Sequence, residues 1–140
     1  MKAVLLPQFG APEVMHLGEH PQPEYGPNDL LIKVHATALN RADTMQRQGK
    51  YPPPPGASEI MGLEMAGEIV AKGNKVEDWQ IGDAVCALLP GGGYAEYVSI
   101  PADMAIAIPA GWEYTQAAAM PELLTLLPEP VTLSTSQPLR

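Results

Sequence analysis

Short apolar runs broken by clusters of Gly, Pro, Asn and Asp set the rhythm of the chain from its first residues. Met1 to Leu6 predicts a strand ended by Pro7, Gly10 and Pro12, with Val14 to Leu17 as its antiparallel return. After a loop at Pro21 to Pro27, Asp29 to Ala38 alternates apolar and polar positions at Ile32, Val34 and Ala36, the pattern of a half-buried strand. Asn40 to Gln48 changes to good helix formers, so a short helix capped by Asn40 is expected before Gly49 and the Pro52 to Pro55 run stop it. Glu64 to Ala71 and Ala84 to Leu89 predict further strands, separated by turn chemistry at Gly73-Asn74 and Gly82-Asp83. Tyr94 to Ile100 and Met104 to Ile108 add two more, and Thr115 to Met120 predicts a helix start with Thr115 as its cap. Many short strands at this spacing argue for a mainly β domain with short helices, arranged as a small, partly open β-barrel.

Composition narrows this picture. A chain of 140 residues can bury one core but not two ordinary ones, and its 16 Pro and 13 Gly suit a turn-rich β fold better than a helical one. The formal charge of −8 argues against nucleic acid and anionic membranes as partners. No apolar run approaches the ~18–20 residues of a bilayer-spanning helix, and the N-terminal apolar stretch is too short for a signal peptide, so a cytoplasmic protein is expected. A single cysteine, Cys86, excludes an internal disulfide and a Cys-based zinc site, and reads as a small buried hydrophobe. Leu123 to Arg140 carries three prolines and no sustained period, which gives a domain over residues 1–122 and a poorly ordered tail over 123–140.

Three stretches carry a family likeness: Ala38-Leu39-Asn40-Arg41-Ala42-Asp43, Gly62-Leu63-Glu64-Met65-Ala66-Gly67, and Gly91-Gly92-Gly93-Tyr94-Ala95-Glu96-Tyr97-Val98. With Gly82-Asp83 between the last two and Gln116-Ala117-Ala118-Ala119 after them, the chain resembles the zinc-free quinone oxidoreductases of the medium-chain dehydrogenase/reductase superfamily. The branch of the p53-induced quinone oxidoreductase reads most like Asn40 through Gly56. The resemblance runs to about residue 122 and implies a GroES-like catalytic domain, NADPH as cofactor and a quinone as substrate. It also implies that the Rossmann domain of full-length relatives is absent from this chain, which would leave the isolated chain inactive or strongly impaired. In zinc-dependent members of that superfamily the residues matching Asn40 and Leu63 are a cysteine and a histidine ligand. An amide and an alkyl group cannot replace them, so no metal is expected. The histidines His16, His20 and His35 stand away from those positions.

Hydride transfer to a quinone needs orientation and hydrogen bonds rather than a protein nucleophile. Asn40 offers a donor and an acceptor where the resemblance implies contact with the nicotinamide or the quinone oxygen; a plain helix cap is its alternative role. Tyr51, in a stiff loop between Gly49 and the prolines, is a candidate to donate its hydroxyl to a developing oxyanion, or else an aromatic lid. Arg41 is a candidate contact for a cofactor phosphate and Glu64 for the substrate. A solvated charge for Arg41, as for Arg47, and structural pairing for Glu64 are the competing roles. Gly91 to Gly93 reads as a turn or bulge rather than a phosphate cradle, with Tyr94 and Tyr97 as barrel residues. Two alternatives stand beside the quinone reductase: a zinc-free enone or enoyl reductase, and a non-enzymatic GroES-like interaction module. An apolar face open to self-association or to a full-length subunit belongs to that last reading.

Overall fold

A computed structural model of the protein describes residues 1–125. Strands β1 (Lys2–Leu5) and β2 (His16–Glu19) pair antiparallel as one small sheet. The second sheet has the order β6-β3-β4-β5-β7, built from β3 (Asp29–Thr37), β4 (Glu64–Lys72), β5 (Ala84–Leu88), β6 (Tyr97–Pro101) and β7 (Ile106–Ala107). All of its pairings are antiparallel. An isolated bridge between Ala3 and Ala95, with the Glu96 N–H donating to Lys2 O at 3.1 Å, joins the small sheet to the start of β6. The sheets stay open and three short helices flank them: α1 (Arg41–Arg47), α2 (Tyr114–Ala117) and α3 (Met120–Thr125). This is the mainly β, partly open fold that the alternation pattern predicts. Among the described residues no helix is long and apolar enough to cross a membrane.

The core follows from the same alternation. Leu30 and Ile32 of β3, Met65 and Ile69 of β4 and Val85 of β5 are fully buried, and Val98 and Ile100 of β6 close one side. Burying each such side chain contributes about 1.5–3 kcal/mol, which makes the middle of the β3–β4–β5 sheet the main source of stability. A smaller cluster on the helix side gathers Ala66, Cys86, Ala117 and Ala118, small residues that let α2 lie close to the sheet. His35 stacks on Tyr114 with ring centroids 4.4 Å apart and helps hold α2 against β3.

Several boundaries differ from expectation, each for a local reason. The first return strand starts at His16, because Pro12–Val14 forms a 3-10 turn with Pro at its first position. Tyr94 to Glu96 stays outside β6, and the last strand shrinks to Ile106–Ala107 because Ala102–Met104 makes another 3-10 turn. The cap of α2 is Glu113, not Thr115: the Glu113 N–H donates to Gln116 Oε1 at 3.0 Å, a Glu-x-x-Gln version of the capping box. Helix α3 continues through Thr125, into the segment expected to be a tail, and the rest of that segment, 126–140, lies outside the described residues.

Candidate functional site

Strand β3 ends at Thr37 and α1 begins at Arg41, which leaves Asn40 at the N-cap with extended backbone angles of φ −116° and ψ 156°. Asp43, in the first turn of α1, completes a capping box. Its Oδ2 accepts the Asn40 N–H at 2.8 Å, while the Asn40 side chain faces the Asp43 N–H. Asn40 is therefore a cap and something more, because its Nδ2 also donates to Glu64 Oε1 at 2.9 Å. An amide held this way keeps one N–H and one carbonyl lone pair for a ligand.

Glu64 opens β4 and is only 2% exposed. Its second oxygen, Oε2, accepts the backbone N–H of Glu122 in α3 at 3.0 Å. Thr37 Oγ1 donates to the Glu64 carbonyl at 2.7 Å and fixes the strand end beneath it. A buried carboxylate survives desolvation when each oxygen meets a donor, and both do here.

Tyr94 reaches the same place by a different route. Gly62 has φ +108°, and a Cβ built on it would lie 2.6 Å from Tyr94 N, so this backbone contact admits glycine alone. Through it the Gly93 N–H donates to Gly62 O at 3.1 Å and the Tyr94 N–H to Met61 O at 2.9 Å. The Tyr94 hydroxyl and Asp43 Oδ1 are both buried and neither completes a hydrogen bond. Burial first, then the adjacent Asp43 carboxylate and the charge of Glu64, push the Tyr94 hydroxyl well above the ordinary tyrosine range and hold it protonated. Burial, with a further push from Glu64, likewise raises the Cys86 thiol to about 11, which makes it inert.

Asn40, Asp43 and Tyr94 border a cleft of about 240 Å³, which Arg47 and Met61 also line. Arg47 is anchored to the cleft wall by its Nη1, which donates to Gly10 O at 2.6 Å. A larger, mainly apolar groove of about 630 Å³ meets this cleft at Met15, Leu39 and Tyr94 and runs on past Leu17. Leu39 is 85% exposed and Leu17 67%.

Of the residues expected at a site, the structure brings together Asn40 and Glu64. Tyr51 does not join them: it is 42% exposed in the loop beyond Gly49 and does not line the cleft, since the left-handed turn at Gly49 (φ +76°) ends α1 before it. Arg41 is exposed at the start of α1 and lines neither cavity. Asp43 and Tyr94 were not anticipated. The Asn-x-x-Asp spacing at 40–43 is a capping-box signal that marks Asp43, whereas nothing local in Gly-Gly-Gly-Tyr indicates that Tyr94 meets α1. Among the described residues no three His, Cys, Asp or Glu side chains gather as a metal-ligating group.

Comparison with known proteins adds an independent line. The profile of the alcohol dehydrogenase GroES-like domain matches residues 26–110. The mouse synaptic vesicle membrane protein VAT-1 homolog-like is 36% identical over 121 residues, which cover 86% of this chain and 29% of that protein. Among solved structures, the quinone oxidoreductase of Coxiella burnetii superposes with a TM-score of 0.81 at 34% identity, over 90% of this chain and 43% of that one. The Escherichia coli quinone oxidoreductase complexed with NADPH gives 0.76 at 30% identity, over 85% and 36%. The chain thus spans about a third of the length of the curated relative it matches.

Proposed function

The chain belongs to the alcohol dehydrogenase GroES-like domain family, and on that premise we propose that it is the substrate-side part of an NADPH-dependent quinone oxidoreductase. The observation that carries this reading is the Asn40 amide, held by Glu64 and the α1 cap at the edge of a cleft large enough for a small flat ring. One free N–H and one free lone pair on that amide suit a nicotinamide carboxamide or a quinone oxygen. The residues present fit the nicotinamide end of the cofactor. Its pyrophosphate finds no glycine-rich turn from strand into helix among the described residues, because Gly91 to Gly93 lead on to β6 instead.

Bound nicotinamide supplies the hydride in this chemistry. The chain's own contribution is orientation: the Asn40 N–H directs the acceptor's oxygen, and Met15, Leu39 and Met61 keep the ring face dry. Tyr94, held neutral beside Asp43, forms part of the cleft wall next to Asn40. A conjugated enone presents a similar carbonyl, so the acceptor class is decided by experiment. Backbone amide shifts would be mapped in separate titrations with NADPH, a small quinone and a small enone. Shifts centred on Leu39, Asn40 and Tyr94, and lost in Asn40→Ala, are expected for NADPH and the quinone. Shifts centred elsewhere, or none up to millimolar ligand, would sink the reading.

The exposure of Leu17 and Leu39 along the apolar groove favours a second reading, an interaction module that pairs with another copy or a full-length subunit. Sedimentation of the chain and of Leu39→Ser distinguishes it, since a Leu39-dependent oligomer is expected on that reading alone.

A further inference from the structure

The Glu64 carboxylate spans parts of the molecule that are distant in sequence. Through Oε1 it holds Asn40, which lies 24 residues before it, and through Oε2 it holds the N–H of Glu122, which lies 58 residues after it. The main chain of Glu64 is a fixed post, paired with Leu88 of β5 and bonded at its carbonyl by Thr37 Oγ1. The two oxygens belong to one rigid planar group. A shift of α3 that carries the Glu122 N–H with it turns that plane and moves the oxygen on which the Asn40 amide rests. At 2% exposure water does not replace either bond, so both partners follow the carboxylate instead of releasing it.

We infer that Glu64 is a positioning residue that couples the placement of α3 to the orientation of the Asn40 amide, so that whatever moves α3 retunes the cleft. The inference rests on the reading of Asn40 as the residue that faces the ligand. Coupling of this kind is reciprocal: a ligand that turns the Asn40 amide also changes the hold on α3 by the same factor.

The coupling is measured without nicotinamide or quinone, by hydrogen exchange and amide NMR on the chain itself. In Asn40→Ala the carboxylate loses one anchor, and exchange at the Glu122 N–H is expected to quicken about tenfold as its bond loosens. Thr37→Val, which removes a bond to the Glu64 main chain but leaves the carboxylate alone, is expected to leave that N–H unchanged. In Glu64→Gln a side-chain NH₂ necessarily faces one of the two donors, so protection is lost at either the Asn40 NH₂ or the Glu122 N–H while the β-sheet amides keep their pattern. An unchanged Glu122 N–H in Asn40→Ala overturns the inference, and that variant decides alone if Glu64→Gln does not fold. Coupling without any ligand shift at Asn40 would instead remove the functional reading and leave the mechanical link standing.

Discussion

Strands β3 and β4 run through two regions, one fully buried and one partly so, that obey different rules. In the middle of the sheet Leu30, Ile32, Met65 and Ile69 exclude water with apolar bulk alone. At the end of the same strands Asn40, Asp43 and Glu64 are joined by paired donors and acceptors, with the Tyr94 hydroxyl and Asp43 Oδ1 left unpaired beside them. The apolar region resists loss of volume, and its contacts add up without direction. The polar region resists loss of a paired group, because deleting the side chain of Asn40, Asp43 or Glu64 strands its partner. Stability therefore resides mainly in the first and orientation in the second.

The sharpest way to break this contrast is to damage the apolar side. Ile69→Ala should cost about 2–5 kcal/mol in urea denaturation, with the hydrogen bonds around Glu64 intact in the folded fraction. Alkaline titration comes next in size and probes the border between the regions, because Cys86 lies in the small core cluster yet feels the charge of Glu64. The folded-state thiol is raised from 9.0 to about 11, so the folded chain holds that proton more tightly than the unfolded chain. Stability from this source is complete below pH 9 and is lost as pH climbs to about 11, a fall of roughly 2–3 kcal/mol that Cys86→Ala should remove from the denaturation profile. Glu64→Met fills similar volume without charge. It should lose about 1–3 kcal/mol from the two stranded donors, and it should abolish ligand shifts at Asn40 if the polar region is the site. Tyr94→Phe is the smallest: its hydroxyl completes no hydrogen bond, so stability at pH 7 should change by no more than about 0.5 kcal/mol. The same variant should suppress the further loss of stability above pH 10, since the Tyr94 proton is also held more tightly in the folded chain.

The two regions were not equally readable in the sequence. Strand β3 announces itself through Ile32, Val34 and Ala36, and the strands after it are bounded by glycine turns whose chemistry is local. The cap at Asn40 and the burial of Cys86 follow from the same short-range rules. What short-range rules do not contain is the meeting of Glu64 with Glu122, because it depends on α3 folding back against β4 and β5. Tyr94 is a similar case: its position depends on the contact of Gly62 with Gly93, two glycines that each look like an ordinary turn residue. Tyr51 was expected near the site because a stiff loop follows it, yet stiffness sets no direction, and the turn at Gly49 leaves the ring at the surface. The Glu113-x-x-Gln116 box is the opposite case, a local capping signal two residues ahead of the Thr115 and alanine run that predicts the helix start.

The order β6-β3-β4-β5-β7 has a consequence for how copies of this chain meet. An open sheet invites a foreign strand to template on its unpaired margin, the first step of many aggregates. Here one margin is the two-residue β7, and the other is met at its start by Lys2 and ends in Pro101, which has no N–H to offer. Backbone-driven fibre growth therefore has little purchase on either side. If copies do gather at high concentration, their contact should be greasy and reversible, made by Leu17 and Leu39, and should dissolve on dilution instead of seeding β-structure.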